Sequence, residues 1–580
     1  MVGRWSPSLL LVSTLASIAA ALPYEQSSDM SAANLFLKLR QNNNDNSTSA
    51  SGPGSSNGST PVSYNQPYRP QIHFSPSSGF MNDPNGLVVS GKPGNETIHM
   101  YYQYNPNDTV AGNQHWGHAT SKSFESYEWK NHLPAIAPEA EGEGIFSGSA
   151  VIDSNNTSGF FDNSTEPEDR IVAIYTLNTA DEESQNIAYS TNGGYNFTKY
   201  ENNPVLRDVG KYQKQFRDPK VFWDAPHEQW VMAVAHTQTY EVGFYTSKDL
   251  KSWEEASRFS AGVLGYQYEC PALFQAPYVG GDKDGQKGWV LLISINPGAP
   301  LGGSMTEYVI GDWDGKTFTS DDPSAKLADF GKDWYAAQTW DNTDPSKPPV
   351  VIGWASNWQY TNVVPTSPWR SVFSVPREVT LQYAALNPLD SRYVMAQNPI
   401  NTSAIVTDSL HDGKTAAKNS TSVDLKGDGA FDITANITMS AATYGSLAAN
   451  STVDLYVNGT AKGDVLRIGF VGGEPGVVLI DRRFAGKDWA DNDPFFTDRF
   501  STQAQILYAD DNDKENSDRY FTMRMIVDRT ITELFVNDGI ASAAVLHYWD
   551  QEGKPTSLEM KVGDDRLKVH LDVQALKSTW

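Results

Sequence analysis

The sequence predicts an all-β protein, a five-bladed β-propeller followed by a C-terminal β-sandwich. Three observations carry that prediction. The chain holds 45 Gly, 32 Pro, 16 Trp and 27 Tyr, with 12% aromatic and only 19% charged residues. That composition suits many turns and large flat rings better than a helical bundle. A pattern then recurs through the middle of the chain with a period of about 60 residues, the size of one supersecondary unit. After about residue 400 the texture changes to alternating polar and apolar runs separated by Asn-Gly, Asp-Gly and Gly-Gly turns, the period of half-buried antiparallel strands.

In chain order, residues 1–22 (MVGRWSPSLLLVSTLASIAAAL) read as a secretory signal. Arg4 supplies the positive start, Leu9 to Ile18 the short apolar run and Ala19 to Ala21 the small cleavage residues. Residues 23–64 are expected to form a disordered leader. The stretch QNNNDNSTSASGPGSSNGSTPV within it lacks the apolar content to offset its ordering entropy. Thirteen Asn-x-Ser/Thr sites behind a signal fit a glycosylated extracellular or wall-associated protein carrying N-glycans. The single cysteine, Cys270, excludes an internal disulfide, a Cys-rich zinc site and an iron–sulfur cluster.

Residues 65–390 are assigned to the propeller. Four segments share an apolar strand, a polar turn and an aromatic: they end at Trp129, Phe197, Trp253 and Phe318, 56 to 68 residues apart. Each aromatic is expected to pack back on its own sheet. A second series precedes them in step, around Asp83, Ser147, Asp218, Glu269 and Tyr335. Each member has a polar head and then an apolar run, as expected of a strand starting near a shared axis. Residues 391–411 are read as a linker and 412–580 as the sandwich, with strands at VDLYVN (453–458), VLRIGFV (465–471), YFTMRMIVD (520–528), TITELFVND (530–538) and LKVHLDVQAL (567–576).

If the second series lies nearest the axis, Asp83, Asp218 and Glu269 converge at one mouth. Each stands beside a proline (Asp83-Pro84, Asp218-Pro219, Glu269-Cys270-Pro271), which biases the preceding residue to extended geometry and would fix each carboxylate's direction. Converging acids with amides, Arg217 and aromatics form the equipment of a sugar site, where two carboxyl groups flank a glycosidic bond and a third stabilises developing positive charge. Spacing alone leaves Asp153 and Asp341 open as further members. The net charge, 44 Lys/Arg against 69 Asp/Glu for −25, disfavours nucleic acid and an anionic membrane as partners and is compatible with a neutral sugar. No apolar run after the signal reaches membrane-spanning length. His115 and His118 in HWGH lack a Cys or acidic third ligand and read as structural, so no metal or other cofactor is expected. No Gly-x-Ser-x-Gly nucleophile elbow is present. Cys270 reads as a small buried packer rather than a reactive thiol.

The motifs HFSPSSGFMNDPNGL, YYQYNPND, WGHATS, FSGSAV, QFRDPKVFW, LGYQYECPALF, FGKDWYAAQTW and ITELFVNDG together resemble glycoside hydrolase family 32, over about residues 65–580 and in family order. The resemblance implies a secreted, retaining β-fructofuranosidase acting on sucrose and fructooligosaccharides. Asp83 would be the nucleophile, Glu269 the general acid/base and Asp218 the stabiliser of the transition state. Asn82, Gln103, Trp116, Phe146, Ser147 and Arg217 match its substrate-binding positions. Retention requires Glu269 to start protonated and Asp83 ionised. One departure is Phe80, where the family usually has Trp before MNDPNG; the indole N–H is lost, which leaves the balance of hydrolysis and fructosyl transfer open. The alternatives on the same scaffold are a fructosyltransferase and an exo-inulinase or levanase. A fructan-binding lectin with a dead site is the alternative of another class, and a homodimer through the sandwich is compatible with the sequence.

Overall fold

Each of the five polar heads begins a strand: Gly79–Ser90, Gly144–Ile152, Phe216–Asp224, Tyr268–Val279 and Tyr335–Thr339. These head strands are buried along most of their length, as their short, nearly continuous apolar runs dictate. The computed structural model describes residues 64–580, apart from 209, 211–213, 262–264, 321, 388–389, 416–419, 474–475, 511–512 and 514. The signal at 1–22 and the leader up to residue 63 lie outside the described residues.

Antiparallel partners follow each head strand in chain order. The first pairs with Thr97–Asn105, then His115–Ser121 and Lys130–Ile136. The second leads to Ile171–Asn178, Glu183–Ser190 and Thr198–Lys199. The third leads to Gln229–His236, Glu241–Ser247 and Glu254–Phe259. The fourth leads to Lys287–Ile295, Met305–Trp313 and Phe318–Thr319. The fifth leads to Val350–Trp354, Arg377–Asn387 and Asp390–Pro399. The last two groups also join through the parallel pairing of Tyr278 with Leu381. Head strands that follow one another in the chain are neighbours in space, and the fifth lies against the first.

Every head strand breaks register near its polar head, at Met81/Pro84, Ile145/Gly148, Arg217/Lys220, Glu269/Ala272 and Tyr335/Gln338, and the first breaks again at Asn85/Val88. Such bulges leave a residue unpaired and re-aim its side chain. Here the mechanism differs from the one the prolines suggest. Asp218 and Cys270, each directly before a proline, are not extended but lie at φ of 66° and 47°. The bulge, not an extended dipeptide, sets their direction. Gly148 sits at the second bulge, where an added Cβ would run into the Ile174 carbonyl oxygen and the Tyr175 backbone. Gly148→Ala is therefore expected to cost about 1–3 kcal/mol through overpacking, checked by thermal melting against the parent.

The turn aromatics pack differently from expectation. Trp129 joins a core with Tyr335, Trp340 and Ile352, Phe197 lies with Ile145 and Ala173 but also with Val88, Tyr101 and Trp116, Trp253 with Val172 and Ile187, and Phe318 with Val231 and Phe244. Each fills the space between its own sheet and the preceding one. A single hairpin cannot bury so large a ring, whereas two facing sheets can.

Residues 391–411, expected to be a linker, instead carry strand Asp390–Pro399, paired along Arg377–Asn387, and the start of Val406–Thr415. The chain then builds two antiparallel sheets. One orders Val406–Thr415, Lys568–Leu576, Ala430–Met439, Arg519–Val527, Ile531–Val536 and Ala541–Leu546; the other orders Ser420–Asp424, Ser557–Val562, Thr452–Asn458, Val465–Val471, Gly476–Phe484 and Arg499–Ala504. Alternate residues, such as Val453, Leu455 and Val457 against Phe521, Met523 and Met525, meet in one apolar core.

A buried ionic cluster ties this region to the segment leading into the first head strand. The Asp528 carboxylate accepts the backbone N–H groups of Gln71, Ile72 and His73 at 2.8–3.3 Å and the His73 ring Nδ1 at 3.1 Å. The other ring nitrogen, Nε2, lies 3.0 Å from Glu533 Oε1. Arg377 joins Glu533 through Nε at 2.9 Å and Asp329 through Nη1 at 3.0 Å.

Candidate active site

The bulges deliver Asp83, Asp218 and Glu269 to one site. Cys270 Sγ lies 3.5 Å from Asp83 Oδ2 and 3.5 Å from Asp218 Oδ2, so two of the acids meet at one sulfur. The Cys270 backbone N–H also donates to Asp218 Oδ2 at 2.9 Å. Ser147, from the second head strand, donates its hydroxyl to Asp83 Oδ2 at 2.7 Å, and Asn82 Nδ2 donates to Asp83 Oδ1 at 3.2 Å. Glu269 accepts from Arg217 Nη2 at 2.7 Å and from the Tyr335 hydroxyl of the fifth head strand. All five head strands thus supply a side chain.

Gln103 and Trp116 reach the second head strand at the residues just before Ser147. Gln103 Nε2 donates to Asn85 Oδ1 at 3.1 Å and to the Ile145 carbonyl at 3.0 Å. Trp116 Nε1 donates to the Phe146 carbonyl at 3.0 Å; both bonds hold the second head strand against the first sheet. The Asn85 amide nitrogen is buried without a protein partner, leaving a donor in the wall. Phe80 is 1% exposed and packs against Trp354 and Trp358, with ring centroids at 6.4 and 6.2 Å. Trp354 in turn meets the edge of Tyr335 at 6.1 Å. These rings link Phe80 to Tyr335, which donates to Glu269.

Three carboxyl groups share this dry space. Burial pushes Asp218 up to about 8, with Arg217 opposing and the charges of Glu269 and Asp83 reinforcing the rise. Burial also raises Asp83, against the pull of the Ser147 and Asn82 hydrogen bonds. The ionised Asp83 that the chemistry requires therefore depends on those donors. Burial lifts the Cys270 thiol well above its ordinary range, so it stays protonated, packing in the core while touching both acids.

Asp153 and Asp341 fall elsewhere. Asp153 caps a turn, accepting from the backbone and hydroxyl of Thr157 and Ser158 at 2.7–2.9 Å. Asp341 continues the fifth head strand and bridges to Val88. His118 Nε2 lies 3.0 Å from His99 Nδ1 and stacks on Tyr101, while His115 bonds the Asn113 carbonyl. Among the described residues, no group of three or more His, Cys, Asp or Glu side chains is arranged to hold a metal ion.

Two contributors were not singled out as site residues from sequence. Tyr335 heads the fifth strand, and its place in the repeat was a usable signal. Glu183 lies in the third strand of the second sheet, and its carboxylate accepts from Arg217 Nη1 at 3.2 and 3.1 Å. Nothing in its local sequence marks it.

Three carboxyl groups converging from three head strands, with donors for the anions and an arginine beside Glu269, are the groups a glycoside hydrolase of all-β architecture uses. Comparison with known proteins specifies which. Residues 73–395 match the family described as glycosyl hydrolases family 32 N-terminal domain, and residues 401–573 match glycosyl hydrolases family 32 C terminal. The chain belongs to glycosyl hydrolase family 32. It is 42% identical over 486 residues to an extracellular exo-inulinase of Meyerozyma guilliermondii, covering 82% of this chain and 88% of that protein. It is 40% identical over 527 residues to an invertase of Wickerhamomyces anomalus, covering 87% and 93%. Among solved structures, the β-fructofuranosidase of Schwanniomyces occidentalis complexed with fructosyl-erythritol superimposes with a TM-score of 0.78 at 37% identity, covering 88% of this chain and 98% of that one.

Proposed function

We propose that this chain is a secreted β-fructofuranosidase that removes the terminal non-reducing β-D-fructofuranosyl unit of sucrose and related fructosides by two displacements with net retention. The observation that carries the reading is the convergence of Asp83, Asp218 and Glu269 around Cys270 and Arg217. Asp83 attacks the anomeric carbon while Glu269 protonates the departing oxygen; Glu269 then deprotonates the water that cleaves the fructosyl ester. Ser147 and Asn82 stabilise the Asp83 anion, and Asp218 holds sugar hydroxyls and the positive charge of the transition state. Gln103, Trp116, Phe146 and Arg217 shape the pocket.

In architecture we read five propeller blades over about 65–399, each begun by a head strand, and a β-sandwich beyond. Side-by-side head strands, with the fifth against the first, support that reading. Secretion is supported by the amino-terminal signal pattern and by the extracellular relative.

The relatives include both invertases and exo-inulinases, so the preferred chain length is the open variable. Incubation with sucrose, kestose, inulin and levan, with chromatography of the products, tests it. Free fructose from each, with glucose from sucrose, is the expected result. Accumulating trisaccharide at high sucrose would identify a transferase instead, and no release from any would leave a binding protein.

A further inference from the structure

We propose that Glu183 governs the protonation of Glu269 through Arg217, as a positioning residue of the site; this rests on Glu269 being the acid/base. Arg217 is shared. Its Nη1 faces both Glu183 oxygens, at 3.2 and 3.1 Å, while Nη2 donates to Glu269 Oε1 at 2.7 Å. Glu183 is only 5% exposed and is pinned by the Phe216 backbone N–H at 2.9 Å. An arginine given wholly to Glu269 would favour its anion, the wrong form for a general acid. Glu183 occupies that cation and adds a second negative charge behind it, and both effects favour a protonated Glu269.

Besides Gln267, whose Nε2 donates to Glu269 Oε1 at 3.4 Å, the groups facing Glu269 are titratable or charged. Asp218 and Arg217 come from the third head strand, Asp83 from the first, Tyr335 from the fifth and Cys270 from its own strand. Arg217 is the one cation among them. Glu183 meets Arg217, the Phe216 N–H and the field of Glu269. Gln215 offers a second handle on the same guanidinium, its Oε1 accepting from Arg217 Nη1 at 3.2 Å.

The test is the pH profile of kcat/KM on sucrose, whose basic limb reports ionisation of the general acid. Glu183→Gln is expected to move that limb to lower pH by about one unit. Gln215→Glu, which adds an anion to Arg217, is expected to move it to higher pH. General damage to the fold cannot shift the limb in opposite directions. Opposite shifts support the proposal; unmoved limbs, or shifts of one sign in both variants, overturn it. If Glu183→Gln is not recovered folded, the direction for Gln215→Glu decides alone. Glu269→Ala tests the underlying assignment separately, since its residual rate loses the basic limb only if Glu269 is the acid.

Discussion

Asp83→Ala is expected to lower kcat on sucrose by about 10⁴-fold or more, the scale seen when a covalent nucleophile is removed. Its carboxylate is held by Ser147 and Asn82 and touches the Cys270 sulfur. Glu269→Ala should also lose most activity on sucrose, but for a different reason: protonation of the leaving oxygen is lost, a factor of about 10²–10⁴. The two separate on an aryl fructoside whose leaving group needs no proton. Rate returns there for Glu269→Ala and not for Asp83→Ala. Near-normal turnover of sucrose by either variant, or a fructosyl adduct on a residue other than Asp83, would sink the assignment.

The second large effect is on stability. His73 lies fully buried between Asp528 and Glu533, and those carboxylates lift it to about 9 against the cost of burial. Removing the ring in His73→Ala leaves two buried anions without it, a loss of about 3–5 kcal/mol, read as a lower melting temperature near neutral pH. The pH dependence has a definite sign. Because the folded value lies above the ordinary one near 6.5, the contribution is complete below about pH 6.5 and is lost as pH rises through about 9. Against their own burial, Asp528 is lowered by His73, and Glu533 by Arg377 first and then His73, so their share is lost at the opposite end, as pH falls through their depressed values. Melting temperatures from pH 6 to 10 should fall in the parent and stay flatter in His73→Ala. Parallel curves would refute the role given to the imidazolium.

Much of this was legible in the sequence because periodicity survives in one dimension. All five head strands and the late strands at 453–458, 465–471 and 568–576 fall where the apolar runs and alternation put them. The three acids were legible because each heads such a run. What escaped notice depends on contacts distant in the chain. His73 and Asp528 are 455 residues apart, and Glu183 reads as any surface acid until Arg217 is placed beside it. Strand Asp390–Pro399 was hidden by its polar sequence, DSRYVMAQNP, which becomes a strand because Arg377–Asn387 offers an open edge. Backbone direction was hidden as well: the left-handed φ of Asp218 runs against the usual effect of the following proline.

The register breaks at the five polar heads carry an evolutionary consequence. Asp83, Ser147 and Asp218 lie inside their breaks, whereas Glu269 and Tyr335 are the last paired residues before theirs, so each presented side chain stands where the ladder is interrupted. Chemistry at this mouth can therefore be rewritten one position at a time. A substitution there changes the group presented at the site, while the pairs on either side of the break still hold strand order and register.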